Sequence, residues 1–163
     1  MYGVCLRLGP VRQVGCGVYT DGGVRGLTQV FDVMTAGAVA ASIAEPIQGV
    51  GGCATPPDGF FGAMKKELDN RGVLFISDEV QTGWGRTGEN FWGYQAHGMT
   101  PDLLTFAKRV GNGLALGGVV ATADLLDCLP GNSLSTFGGH PRRAVGALAT
   151  RTYRLEPATL DTA

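Results

Sequence analysis

The chain has 163 residues, 44% apolar and 17% charged, with 13 Lys plus Arg against 14 Asp plus Glu and a net charge of −1. That length suits one domain with a real core, and the near-neutral balance offers no long-range field for nucleic acid or an anionic membrane. The longest nearly uncharged apolar run, residues 113–123, is far short of the roughly 18 residues of a membrane span.

Arg7 interrupts the only N-terminal stretch that resembles a signal peptide. Cys5, Cys16, Cys53 and Cys128 have neither C-x-x-C spacing nor a histidine cluster nearby, so no metal site or disulfide framework is expected. These features read as a soluble, cytoplasmic protein with reduced thiols, and the low charge suggests surface covered by another chain.

Residues 1–38 show scattered glycines and no sustained period, and read as strand and loop pieces of a poorly defined N-terminal segment. From Val39 the pattern sharpens. Residues 39–44 form a short apolar run that stops at Glu45-Pro46, where proline withdraws a ladder N–H. A glycine-rich loop follows, and Asp58 is placed to cap a helix carrying Phe60, Phe61, Met64 and Leu68 at helical spacing. Gly72 ends it. Residues 73–77 then read as a central strand covered on both faces. A second apolar run, 103–107, leads into Lys108. Residues 118–121 predict another strand, with Thr122 capping a helix over 123–129. After a polar loop at 132–139, Pro141 suits the first position of a further helix. Strand and helix alternate, which argues for an α/β fold with a mostly parallel sheet and flanking helices, its core spanning 39–150. The tail, 151–163, has lost amphipathic order.

In open parallel sheets ligands sit outside the carboxyl ends of the strands, so Asp78 and Lys108, each at the end of an apolar run, are candidates for one crevice. Asp78-Glu79 reads as a carboxylate pair for acid/base work, as half a metal site, or as a polar strand end. An aspartate ending a buried strand needs a cationic partner, and a protonated pyridine nitrogen is one. Lys108 lies among Leu104, Phe106 and Val110. Partly dry surroundings of that kind favour the neutral amine that attacks a carbonyl to form a Schiff base. Residues 83–88 match G-x-G-x-x-G, yet they neither leave a strand directly nor open a helix, so a nicotinamide oxidoreductase is a distant alternative. His97 and His140 stand alone, residues 142–143 are too short for a basic patch, and Trp84, Phe91, Trp92 and Tyr94 form an aromatic cluster suited to a core or interface.

Several separated motifs agree on one family. Glu45-Pro46-Ile47-Gln48-Gly49-Val50-Gly51-Gly52, then Ile76-Ser77-Asp78-Glu79-Val80-Gln81-Thr82-Gly83 with Gly85-Arg86-Thr87-Gly88, then Pro101-Asp102 and Lys108, resemble the class-III pyridoxal-phosphate aminotransferases, in look nearest the 4-aminobutyrate and alanine–glyoxylate members. The resemblance covers residues 40–148. It implies the large domain of a fold-type I pyridoxal 5'-phosphate enzyme, a homodimer with shared active sites, moving an amino group from an amino acid or ω-amine to a 2-oxo acid by a ping-pong Schiff-base route. By the same resemblance Lys108 is the catalytic lysine that carries the cofactor, Asp78 binds its pyridine nitrogen, Gln81 lies near its phenolic oxygen, Thr136 holds the phosphate of the partner's cofactor and Glu45 faces the substrate.

The chain departs from the pattern at Arg109, where the family usually has a small residue, and at Arg142-Arg143. Family members are more than twice this length, so further phosphate contacts are expected upstream of Met1 and a substrate-carboxylate arginine beyond Ala163. The alternative is a truncated, catalytically incompetent α/β fragment, with exposed apolar surface. An aminomutase or decarboxylase on the same fold would give Lys108 the same first role.

Overall fold

A computed structural model describes residues 6–7, 21–34, 39–50, 52–128, 130–131 and 135–154. Cys5, Cys16, Gly51, Leu129, residues 132–134 and the tail after Arg154 lie outside the described residues. A five-stranded sheet runs in the order β1 (Leu6–Arg7), β2 (Ala41–Ala44), β3 (Leu74–Asp78), β4 (Leu103–Phe106), β5 (Gly118–Ala121). The first four strands are mutually parallel and β5 runs antiparallel to β4.

Residues 1–38 hold a helix that the sequence reading missed: α1 (Asp21–Gln29), continued by a π-helical turn, Val30–Met34. Gly22, Gly23 and Gly26 each cost about 1 kcal/mol of helix propensity and hide the period. Tertiary packing outweighs that cost. Leu27 and Phe31, four residues apart, stack against α2 (Phe60–Asn70), whose Phe60, Phe61, Met64 and Leu68 line the buried face as expected. Arg71 fastens the two elements, meeting Asp32 and Glu67. Gly59 at φ 79°, not Asp58, occupies the cap position of α2, with no side-chain cap bond.

Along β3, Phe75 and Ser77 are fully buried on the face that α2 covers, whereas Leu74, Ile76 and Asp78 on the other face are half-buried. The expectation of a strand covered on both faces is therefore corrected: period-2 geometry puts the two sets on opposite sides, and the described residues cover one side fully. The short helix α3 (Ala123–Asp127) follows Thr122 without a side-chain cap bond, and α4 (Pro141–Arg154) runs past Arg151, where the sequence suggested an irregular tail. Val119, Val120, Phe137, Val145, Leu148 and Tyr153 are exposed, the apolar surface expected of a partial domain.

Candidate active site

The sheet register assembles the site. Ala44 pairs with Ser77 and Asp78 with Thr105, so β2, β3 and β4 end side by side at one edge. Glu45 is the first residue beyond β2, Asp78 the last of β3, and Lys108 the second beyond β4. Glu79 N–H donates to Thr105 C=O at 2.9 Å, continuing the ladder one residue past β3.

At the end of β4 the backbone turns sharply. Ala107 is extended, and Lys108 takes φ +52° as it opens a 3-10 turn, Lys108–Gly111. A left-handed conformation costs a non-glycine residue about 1–2 kcal/mol, and such outliers concentrate at functional sites. Lys108 is exposed. The described residues do not build the partly dry surroundings expected from its neighbours, because the turn buries Val110 and Gly111 and sends the lysine outward.

Asp78 and Glu79 do not act as a pair. Adjacent strand residues point to opposite faces, and these two follow that rule. Asp78 is half-buried, and its Oδ1 accepts Val80 N–H at 3.1 Å. Among the described residues no cation pairs with it. Glu79 is fully buried and accepts four hydrogen bonds: Oε1 from Ser77 Oγ (3.0 Å) and Tyr94 N–H (2.8 Å), Oε2 from Thr82 Oγ1 (2.7 Å) and Gly93 N–H (2.7 Å). The signal was available in the sequence. A glutamate inside an apolar context, with hydroxyl residues two before and three after it, has local donors to satisfy it.

Glu45 and Gln81 converge on Gly49. Glu45 Oε2 accepts Gly49 N–H at 2.9 Å. A side chain at position 49 would place its Cβ 2.1 Å from Gln81 Nε2, so the Gln81 amide lies directly over the glycine. Thr136 is exposed in a turn at 136–139, with no hydrogen bond to the other candidates among the described residues. That turn leads into α4, which packs against the Lys108–Gly111 turn. Between them lies a cleft of about 630 Å³ whose lining includes Lys108, Arg109, Asn112, Leu114, Thr150 and Tyr153. Asp78, Gln81 and Glu45 are not among its walls. The edge formed by the strand ends marks the site better than this hollow does, because ligands of parallel sheets bind at strand carboxyl ends.

Residues 83–88 form successive turns, with Trp84 at φ 65° and Gly85 at φ 73°, and open no helix, which removes the dinucleotide fingerprint. Trp84 instead joins Phe91, Trp92 and Phe106 in a ring cluster with centroids 5.1–5.9 Å apart. Among the described residues no His, Cys, Asp or Glu group could hold a metal, and no helix is long and apolar enough to cross a membrane.

His97 packs on Phe61 with ring centroids 4.8 Å apart. Burial lowers its pKa, opposed by a hydrogen bond to the Pro46 carbonyl and by the charges of Glu79 and Asp58. A histidine whose folded pKa is lowered binds fewer protons folded than unfolded, so it subtracts stability as pH falls below about 6.5, and the penalty levels off once pH passes the folded value. His97→Gln is expected to flatten the decline in urea midpoint between pH 7.5 and pH 5.5. An identical decline in both proteins would exclude His97 as its source.

The family model for aminotransferase class-III matches residues 20–160. The chain belongs to that family. Class-III relatives include alanine–glyoxylate aminotransferase 2 homolog 2 of Arabidopsis thaliana, 41% identical over 82% of this chain and 28% of the relative, and acetylornithine aminotransferase of Corynebacterium efficiens, 47% identical over 68% and 27%. Among solved structures, a transaminase from a marine Virgibacillus superposes with a TM-score of 0.81 at 34% identity, covering 86% of this chain and 33% of that one. The chain thus spans under a third of the curated relatives it matches. The class-III match is wider than the motif resemblance over residues 40–148, because it takes in α1 and the whole of α4.

Proposed function

We propose that this chain is the central part of a pyridoxal 5'-phosphate-dependent aminotransferase that moves an amino group from an amino acid or ω-amine to a 2-oxo acid. The observation that carries this reading is the convergence of Glu45, Asp78 and Lys108 at three neighbouring strand ends, with Lys108 in a strained conformation. The names of the relatives, alanine–glyoxylate and acetylornithine aminotransferases, support it.

The residues fit the cofactor in donor chemistry. Asp78 has one oxygen pinned by Val80 N–H, and no hydrogen bond among the described residues reaches the other, as a partner for a protonated ring nitrogen requires. Gln81 offers an amide for a phenolic oxygen, and Lys108 a primary amine for the aldehyde carbon. When bound, pyridoxal phosphate supplies an electron-withdrawing ring that acidifies the Cα–H bond of an amino acid. Asp78 keeps the nitrogen protonated, Lys108 Nζ carries the proton from Cα, and Glu45 faces the incoming substrate. We place the cofactor-binding core at residues 39–150, assign Thr136 to the phosphate of a partner subunit's cofactor in a homodimer, and place the protein in the cytoplasm.

Adding pyridoxal phosphate to the purified chain is expected to give a visible absorption band that shifts on addition of an amine donor and returns with a 2-oxo acid. The exposure of Lys108 favours the second reading, an incompetent fragment. A band that no amine shifts would establish that reading.

A further inference from the structure

Glu79 touches none of the groups assigned to cofactor or substrate, yet it is a focal point of hydrogen bonding in the described structure. Its two oxygens hold four donors, the full capacity of a carboxylate, from three segments: Ser77 in β3, Thr82 in the following turn, and Gly93 and Tyr94 opening the 3-10 turn Gly93–His97. Its backbone adds two more links, to Thr105 C=O of β4 and from Gly83 N–H at 3.0 Å. The segments are pressed together closely. A Cβ at position 93 would lie 2.6 Å from Thr82 Cβ and 3.2 Å from Glu79 Oε2, so only glycine admits the approach. Burying a carboxylate is costly unless hydrogen bonds replace its water, and here they do.

We propose that Glu79 is a positioning residue whose buried carboxylate clasps the turn of residues 80–94 to the end of β3, fixing Gln81 over Gly49 while its neighbour Asp78 faces the opposite side of the sheet. The clasp rests on the reading of Asp78 and Gln81 as cofactor-facing groups. Gln81 is exposed and its backbone lies between two anchored points, Glu79 and Thr82, so its place depends on them. Glutamine at position 79 would break the clasp without changing its size. Each oxygen of Glu79 receives one backbone N–H, so whichever end becomes the NH₂ group, a backbone donor is left facing a donor.

The test compares the 163-residue chain with Glu79→Gln, with the near-isosteric Thr82→Val, and with Met64→Ala, a core change in α2. Two readouts are followed: cross-peaks between the Gln81 side-chain amide protons and the Gly49 α-protons by nuclear magnetic resonance, and the dissociation constant of pyridoxal phosphate. The cross-peaks are expected in the original chain and in Met64→Ala, weakened in Thr82→Val and lost in Glu79→Gln. The constant is expected to rise about tenfold or more in Glu79→Gln, the scale found for outer partners of bound metal ligands, and to change little in Met64→Ala.

Cross-peaks that persist in Glu79→Gln, are missing from the original chain, or vanish equally in Met64→Ala would overturn the clasp, as would an unchanged constant in Glu79→Gln. If Glu79→Gln does not fold, Thr82→Val decides, and full-strength cross-peaks there count against the proposal. If the original chain binds no pyridoxal phosphate at Lys108, the functional reading fails and the cross-peaks alone judge the clasp.

Discussion

Replacing Lys108 by alanine is expected to abolish covalent attachment of pyridoxal phosphate and to lower amino transfer by about 10²–10⁴-fold through the lost proton transfer alone. The expectation rests on the position of Lys108 at the strand-end edge, just beyond Thr105, the register partner of Asp78. Its conformation allows a second comparison within the same experiment. Lys108 has φ +52°, which alanine tolerates no better than lysine and glycine adopts freely. Lys108→Gly is therefore expected to be more stable than Lys108→Ala by about 1 kcal/mol, the lower end of the left-handed penalty. A chain that stores strain at its reactive lysine should gain stability when the lysine becomes glycine, and lose cofactor attachment with it. Equal stability of the two variants would mean the turn relaxes in solution, and attachment retained in either would place the chemistry elsewhere.

Replacing Phe61 by alanine is expected to cost about 3–5 kcal/mol, the range for removing a buried aromatic ring. Phe61 is 1% exposed and meets three rings, with centroids 5.4 Å from Phe60, 5.8 Å from Phe75 and 4.8 Å from His97. It therefore joins α2 to β3 and to the 3-10 turn that Glu79 anchors, and no single neighbour can collapse into the space. Domains of this kind have about 5–15 kcal/mol in total, so the loss is a large share. Urea denaturation would show it as a lower midpoint with an unchanged slope. A shift below about 1 kcal/mol on that scale would mean that the α2 face is repacked or covered differently in solution.

Strands were legible where apolar runs were short and ended in a punctuating residue. Glu45-Pro46 closes β2, and the strand over residues 118–121 ends at Thr122 as the sequence suggested. Helix α1 was not legible, because its glycines weaken the local signal and its stability comes from Leu27 and Phe31 packing on α2, a contact about 30 residues distant. The candidate residues Asp78 and Lys108 could be chosen because each ends an apolar run, and the parallel register then places them on one edge. The exposure of Lys108 was illegible for the opposite reason: apolar neighbours in sequence alternate between faces in a strand, so a dry sequence context does not become a dry site. Asp78-Glu79 reads in sequence as a carboxylate pair, half a metal site or a polar strand end, and the first two need a shared face that adjacent strand positions do not have.

We propose that the strand-end edge makes Lys108 a chemically distinct lysine. The chain has three lysines, Lys65, Lys66 and Lys108, which makes the measurement simple. The protein is incubated with pyridoxal phosphate, reduced with borohydride and digested, and the modified lysine is located by mass spectrometry. The adduct is expected on Lys108, with Lys65 held back by its ion pairs to Asp69 and Asp102 and Lys66 reacting only as a surface amine. Adducts spread over Lys65, Lys66 and Lys108 alike, or none on Lys108, would contradict it.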